Sequence, residues 1–160
     1  MDERIPALVD RLEIDDLLIR YASAIDARDW ELLDSVFAPD AHLDYRSAGG
    51  IAGTFIEVRR WLSEVLPIFT WTQHLVVNRV IEIDPSETTA RSRSIFQNPN
   101  QLLVDNEPWL FTVGGCYHDR LQRYPVGWRI TTRVEETVWW DHPMPGLPPV
   151  PYPLPDDARL

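Results

Sequence analysis

The sequence has no lysine: its 15 basic residues are all arginine, against 25 acidic residues and a formal net charge of −10. This acidic balance argues against nucleic acid or an anionic membrane surface as a partner, because both attract positive charge. Long apolar runs are also missing, since none approaches the ~20 residues that a membrane-spanning helix requires. We therefore predict no nucleic-acid partner and no membrane partner.

Cysteine is equally scarce. Cys116 is the only one, so no internal disulfide can form, which fits a reducing compartment. It lies between Gly115 and Tyr117 in a predicted strand, where a packed structural thiol is more common than a nucleophile. The first ten residues, MDERIPALVD, lack the basic-then-apolar layout of a signal peptide. These observations together predict a cytoplasmic protein.

Motifs that bind common cofactors are absent too. The sequence contains no Gly-rich phosphate loop and no dinucleotide fingerprint, so we predict that it uses no cofactor. His42, His118 and His142 show no ligand spacing with one another, so we predict no metal site. No serine nucleophile with a recognisable elbow is present. The missing nucleophile favours proton abstraction over covalent acyl transfer.

What is present suits one globular domain. Hydrophobic residues make up 44% and charged residues 25% of the 160 residues, which is ordinary for a chain with a real core. We predict a single domain over residues 1–141. Residues 142–160 hold seven of the 14 prolines and should be polyproline-like or irregular. This segment is either a disordered tail or an ordered arm that packs over the pocket mouth or a neighbouring subunit.

Hydrophobic periodicity predicts the order of elements. Leu8, Leu12, Leu18, Tyr21 and Ile25 form an apolar stripe on a first helix. Two helices are predicted over residues 5–27 and 30–37, and a third begins at a capping box at Thr54 and runs to about residue 66. Strands are predicted over residues 41–47, 72–83, 88–98, 109–123 and 128–140. Residues 100–108 are predicted to form a polar loop. Helices first and strands last predict an α+β fold with an antiparallel sheet, whose curvature leaves a pocket beneath the helices.

Asp26 and His74 each allow two interpretations on these patterns alone, one structural and one functional. Asp26 follows Ile25 at the edge of the stripe, and a carboxylate there needs a partner. An aspartate in this position more often caps a helix or hydrogen-bonds a loop. His74 lies in a predicted strand of β-formers, where a lone histidine is more often a satisfied core residue than a functional one.

Several short motifs of the sequence match the pattern of a known protein family, and they bear on the roles of Asp26 and His74. The matching residues are Asp26, Asp29-Trp30, Leu33, Ala38-Pro39, Asp44-Tyr45-Arg46-Ser47 and Thr72-Gln73-His74. In order and spacing they resemble the scytalone dehydratase and SnoaL-like polyketide cyclase branch of the nuclear-transport-factor-2-like superfamily. The resemblance implies a cone-shaped α+β barrel, with N-terminal helices packed on a strongly curved, mixed but mainly antiparallel sheet that encloses a pocket. It also implies that Asp26 and His74 form a catalytic pair in that pocket.

The same resemblance suggests roles for four further residues. Tyr45 would polarise a substrate carbonyl, although a plain core tyrosine is about as frequent. Tyr21 is similar to a pocket tyrosine of bile-acid dehydratases, and Arg133 to the pocket arginine of hexachlorocyclohexane dehydrochlorinase. Asn98 aligns near a second pocket histidine of scytalone dehydratase. We therefore predict Tyr21, Asn98 and Arg133 as substrate-binding residues, with core packing or a surface ion pair as the alternatives for Tyr21 and Arg133.

Departures from the family pattern limit the substrate. Ile25, Gly115 and Tyr117 stand where scytalone dehydratase has tyrosine, serine and asparagine, so scytalone itself is not the expected substrate. The leading hypothesis is a cofactor-independent, dehydratase-like lyase or isomerase acting on a small hydrophobic cyclic or aromatic molecule. The alternative is a non-catalytic member, either a small-ligand-binding module or a structural subunit like the β subunit of ring dioxygenases. Seven tryptophans leave more aromatic surface than one small core absorbs, which predicts a homo-oligomer, a trimer in preference to a dimer.

Overall fold

Helices come first and strands last in the structure, a computed structural model that describes residues 4–86 and 88–142. The helices are α1 (Arg4–Ala27), α2 (Trp30–Asp34) and α3 (Phe55–Val65). The strands are β1 (Phe37–Asp44), β2 (Ala52–Thr54), β3 (Phe69–Thr72), β4 (Leu75–Ile83), β5 (Thr89–Val104), β6 (Glu107–Tyr124) and β7 (Gly127–Trp140). None of the described helices is both long and apolar enough to cross a membrane. All seven prolines of the predicted tail lie outside the described residues, so the domain boundary and both alternatives for the tail stay predictions.

The seven strands form one mixed sheet in the order β2-β1-β7-β6-β5-β3, with β4 also paired to β5. Only β1 and β7 run parallel; every other described pairing is antiparallel. Helix α1 packs against β4 and β7, and α3 packs against β1. The helices therefore cover one face of a curved, open sheet, which confirms the predicted cone-like α+β fold class.

The core begins later along α1 than the apolar stripe predicts. Leu18, Tyr21 and Ile25 are buried, but Leu8 and Leu12 are each 57% exposed. The prediction for these two leucines was wrong because the buried side of this part of α1 runs through Asp10, Ile14 and Leu17. Asp10 accepts a hydrogen bond from the Trp128 side chain on β7, so a polar residue occupies a position that periodicity assigns to an apolar one. Other apolar side chains are exposed on the strands, Trp139 among them. The predicted homo-oligomer stays a prediction.

Two strand predictions were also wrong. The expected polar loop over 100–108 is instead a tight hairpin between β5 and β6, in which Asp105 and Asn106 have φ angles of 52° and 66°. Positive φ angles at both central residues are what a two-residue hairpin turn of type I′ requires, and Asp and Asn tolerate them. The strand predicted over 72–83 begins only at Leu75, as β4, because Thr72 ends a separate strand, β3, and Gln73 and His74 lie between the two.

Candidate active site

A cavity of about 260 Å³ lies between the helices and the curved sheet. Apolar side chains line most of it: Ile25, Leu62, Val65, Leu66, Phe69, Phe111, Val113, Trp61 and Trp140. A smaller set of polar side chains lines the rest: Tyr21, Tyr45, His74, Asn98, Asn100, Tyr117 and Glu135. Its volume is just below the ~300–1,000 Å³ usual for ligand pockets, so it suits a small molecule.

Asp26 and His74 meet at the edge of this cavity. Asp26 Oδ1 lies 2.6 Å from His74 Nδ1, and Asp26 Oδ2 accepts a hydrogen bond from the His74 backbone N–H at 2.7 Å. The Thr72 hydroxyl donates to Asp26 Oδ1 at 3.0 Å. The His74 side chain is only 6% exposed and that of Asp26 24%. One carboxylate at the end of α1 thus fixes both the backbone and the ring of His74, at the break between β3 and β4.

The charge state of Asp26 follows from these contacts. Burial alone would raise the pKa of its carboxyl, but the hydrogen bonds from the His74 ring, the His74 backbone and Thr72 outweigh burial and lower the pKa. Asp26 is therefore ionised at neutral pH and can only accept hydrogen bonds. It follows that His74 Nδ1 carries a proton and that, in the neutral ring, Nε2 carries the lone pair.

Three buried tyrosines form the wall next to His74. The Tyr45 hydroxyl donates to the Tyr21 hydroxyl at 3.1 Å. The Tyr21 ring packs edge-on against His74 and Tyr117, with ring centroids 6.2 and 5.5 Å apart. Burial, which outweighs the nearby Arg133 charge, raises the pKa of the Tyr21 hydroxyl; burial likewise raises the pKa values of Tyr45 and Tyr117 well above the ordinary value. All three hydroxyls are neutral at physiological pH and can donate hydrogen bonds.

Arg133 lies behind this wall and does not line the cavity. Its side chain is fully buried and binds Asp119 through Nε at 2.7 Å and Nη2 at 2.8 Å. Its guanidinium carbon lies 3.9 Å from the centre of the Tyr21 ring and 4.4 Å from that of Tyr117. Arg133 was predicted to contact the substrate directly. In the structure it instead packs against the tyrosine rings that form the wall of the cavity. The reason is register, because Arg133 pairs with Asp119 across β6 and β7.

The remaining predicted residue, Asn98, does line the cavity. Its backbone carbonyl accepts a hydrogen bond from Asn100 Nδ2 at 2.6 Å. Its side-chain Oδ1 is buried and has no hydrogen-bond partner among the described residues. Since an unpaired buried acceptor costs free energy, this oxygen is suited to receive a ligand hydroxyl or amine.

Glu135 is a cavity residue that the sequence analysis missed. It lies two residues after Arg133 on β7, so strand alternation puts both on the face that carries the cavity. The prediction of Arg133 could therefore have led to Glu135. Burial raises the pKa of Glu135 to about 8, against the opposing charge of Arg133. The site thus contains a second ionisable group, which is mostly protonated at neutral pH.

One group among residues 4–86 and 88–142 brings three metal-ligand types together: Cys116, His118 and Glu136, with candidate ligand atoms within 4.8 Å of one another. It lies on the face of β6 opposite Tyr117 and so outside the cavity. Arg93 Nη2 lies 2.9 Å from Cys116 Sγ, and a guanidinium in this position disfavours a bound cation. The absence of a metal site stays a prediction.

Comparison with known sequences gives a family and relatives. Residues 6–134 match the family model described as the SnoaL-like domain. An uncharacterized protein of Mycobacterium tuberculosis is 46% identical over 126 residues, which cover 79% of this chain and 84% of that protein.

Comparison with solved structures gives the same fold. A hexachlorocyclohexane dehydrochlorinase, LinA-type3 from Novosphingobium barchaimii, superposes with a TM-score of 0.75 at 18% identity, covering 94% of this chain and 100% of that one. A provisionally assigned scytalone dehydratase from Novosphingobium aromaticivorans has a TM-score of 0.74 at 23% identity, covering 86% and 91%. At these identities the likeness establishes the fold.

Proposed function

This chain belongs to the SnoaL-like domain family, and on that premise we propose that its cavity is the active site of a cofactor-independent lyase or isomerase. The enzyme removes a proton next to an activating carbonyl group of a small, mostly hydrophobic cyclic molecule. Loss of a leaving group, or reprotonation at another carbon, completes the reaction. The single observation that carries this proposal is a buried histidine side chain bonded to a partly buried carboxylate at the edge of a mainly apolar cavity.

His74 is the proposed base. Imidazole is the side chain best matched to proton transfer near neutral pH, and His74 is among the residues that line the cavity. Asp26 is the proposed positioning residue, because an ionised carboxylate on Nδ1 fixes the ring tautomer and stabilises the imidazolium that forms. The proton is therefore accepted at Nε2, the ring nitrogen that Asp26 leaves available.

Tyr45 and Tyr21 are the proposed electrophilic pair. A substrate carbonyl gains negative charge as the neighbouring carbon loses its proton, and a preorganised neutral hydroxyl can stabilise that charge by hydrogen bonding. The bond from Tyr45 to Tyr21 leaves the Tyr21 hydroxyl as a donor toward the cavity. The Arg133 charge lowers the Tyr21 pKa in part, which strengthens that donor. We thus propose an indirect role for Arg133, exerted through the tyrosine rings.

The residues that line the cavity indicate the size and polarity of the substrate. A small cavity with mostly aliphatic and aromatic walls favours one compact ring system over a long chain or a charged metabolite. The unpaired Asn98 Oδ1 suits a hydroxyl donor on that ring. Among structures of the same fold, the names dehydrochlorinase and dehydratase both describe eliminations, which supports lyase chemistry for this chain.

The alternative function is a non-catalytic member of the family. In a structural member, His74 would bond only to backbone groups and little cavity would remain. Here the His74 ring contacts a carboxylate and a cavity of about 260 Å³ is present, which favours the catalytic proposal. A ligand-binding module would also have such a cavity. Only a test for proton abstraction can therefore distinguish an enzyme from a binding module.

Hydrogen–deuterium exchange of a bound ketone provides that separation. Cyclic ketones, among them cyclohexanone, would be incubated with the protein in deuterated water and their α-protons followed by NMR. We expect the wild-type protein to accelerate exchange over buffer, and the His142→Ala variant, changed at an exposed histidine, to do the same. Exchange no faster with wild type than with His74→Ala would contradict the proposal and favour a binding module.

Replacing Tyr45 by phenylalanine should slow turnover moderately. The change deletes one hydroxyl and keeps the ring, while Tyr21 remains as a donor. The fall in kcat should therefore be smaller than the ~10²- to 10³-fold typical of a lost oxyanion-hole donor. Steady-state kinetics would measure it, with Tyr124→Phe, outside the cavity, as the matched control. A Tyr45→Phe variant as fast as Tyr124→Phe would show that Tyr45 serves packing alone.

A further inference from the structure

Glu135 lines the same cavity as His74, and the abstraction of a proton by His74 does not require it. We propose that Glu135 is the general acid that protonates a leaving hydroxyl group, so that the substrate is a cyclic β-hydroxy ketone and the reaction is a dehydration. This inference rests on the proposed function, in which His74 is the base. It adds the nature of the leaving group and a second residue that acts directly on the substrate.

The placement of Glu135 fits an acid that works apart from the base. Tyr21 packs against His74 and also against Tyr117, and Tyr117 pairs with Glu135 across β6 and β7. Both residues line the cavity but from different parts of the sheet, His74 from the break between β3 and β4 and Glu135 from β7. An elimination needs this separation, because the proton leaves one carbon while the hydroxyl leaves its neighbour. The Ser47 hydroxyl donates to the Glu135 backbone carbonyl at 2.6 Å and fixes this part of β7.

The charges around Glu135 explain why it holds a proton. Its side chain keeps some accessible surface because it lines the cavity, yet desolvation dominates and raises its pKa to about 8. Arg133 opposes this rise, but Asp119 binds the same guanidinium and offsets its charge. The Asp44 carboxylate, which binds Arg46, adds a raising influence. The tyrosines that face Glu135 are neutral, so at pH 7 Glu135 is mainly a carboxylic acid.

The proposed step is balanced in atoms and charge. His74 Nε2 takes the α-proton and the ketone becomes an enolate held by the Tyr21 hydroxyl. The enolate electrons then form the carbon–carbon double bond as the β carbon–oxygen bond breaks, and the departing oxygen takes the Glu135 proton and leaves as water. The enzyme is left with an imidazolium and a carboxylate. Proton transfer from His74 to Glu135 through solvent restores both groups, so no oxidant or reductant is needed.

A proton donor matters for hydroxyl but not for halide. Hydroxide is a poor leaving group and departs readily only after protonation, whereas chloride departs as the stable anion. A carboxylic acid beside the leaving group would contribute nothing to dehydrochlorination. A protonated Glu135 in the cavity therefore favours a hydroxylated substrate over a chlorinated one.

The test compares two probes that differ only in the leaving group, 3-hydroxycyclohexanone and 3-chlorocyclohexanone. Both give the same enone on elimination, and its formation would be followed by ultraviolet absorbance with a buffer blank subtracted. We expect Glu135→Gln to lose about 10²- to 10⁴-fold in dehydration, the usual range for a general acid, and to keep chloride elimination within about threefold of wild type. Glu135→Asp should recover part of the dehydration. Glu136→Gln, on the opposite face of β7, is the matched control and should behave as wild type.

The pH profile gives an independent reading. The protonated acid is the active form, so wild-type dehydration should fall as pH rises through about 8, the pKa of Glu135. This decline should be absent with the chlorinated probe and absent in the residual activity of Glu135→Gln. Equal losses for both probes in Glu135→Gln, or no loss for either, would overturn the inference. Wild-type exchange of α-protons without dehydration of the hydroxy ketone would also overturn it and leave the proposed function standing, whereas absence of both activities would overturn the proposed function itself.

Discussion

Turnover by a His74→Ala variant is expected to fall by about 10²- to 10⁴-fold, the usual worth of a general base. The reason is that the variant keeps the cavity and the tyrosine donors but has no group to accept the α-proton. Substrate binding should change much less than kcat, since His74 supplies only one polar contact in a largely apolar lining. Steady-state kinetics and ligand titration would measure the two quantities separately. Partial recovery on addition of free imidazole would tie the loss to the missing base.

Asp26→Asn should damage turnover without emptying the cavity. The amide keeps the shape of the carboxylate but can donate to His74 Nδ1, which favours the wrong ring tautomer and removes the charge that stabilises the imidazolium. Thr72→Val is the matched control, because it deletes one hydrogen bond to Asp26 and leaves the contact with the ring. An Asp26→Asn variant that turns over as fast as Thr72→Val would contradict a role for Asp26 in orienting the base.

The largest expected effect on stability comes from Arg133→Met. Arg133 and Asp119 both have fully buried side chains and share two hydrogen bonds. Removing the guanidinium leaves an uncompensated buried carboxylate, a change that typically costs about 3–5 kcal/mol. Urea unfolding monitored by tryptophan fluorescence would report the free energy of unfolding. Loss of the support under Tyr21 and Tyr117 should also lower kcat in whatever fraction stays folded.

A second variant separates the ion pair from packing. In Arg133→Met/Asp119→Leu both charges are gone, and apolar replacement of a whole buried pair is often neutral or stabilising. The double variant should therefore be more stable than Arg133→Met alone. If both variants unfold at the same urea concentration, the cost lies in packing around the rings and not in an unpaired charge.

Much of the fold could be predicted because local signals and tertiary structure agree. The capping box at Thr54 and the helical periodicity of residues 5–27 gave α3 and α1 within a residue or two of their observed starts. Where they disagree, tertiary pairing decides. Phe37 was predicted to end a helix but begins β1, because its backbone pairs with Ile130 on β7. A partner that lies far along the chain leaves no trace in a local window.

The residues of the candidate site could also be predicted only in part. The resemblance located Asp26 and His74, and the structure brings them together, but periodicity alone could not have done so, because His74 lies between two strands and obeys neither alternation. Arg133 was chosen by resemblance and its partner Asp119 was not, since only the register of β6 and β7 shows that they meet. Glu135 was overlooked although strand alternation after Arg133 was sufficient to find it.

The parallel contact between β1 and β7 has a consequence for synthesis of the protein. Asp44 pairs with Val134, so the first strand of the described chain cannot form this pairing until the last strand has been synthesised. A ribosome adds about 5–20 residues per second, and until β7 emerges β1 lacks its parallel partner and α1 lacks one of the two strands that it packs against. The N-terminal third of the chain should therefore stay sensitive to protease on the nascent chain, and become protected in one step once β7 is released from the exit tunnel.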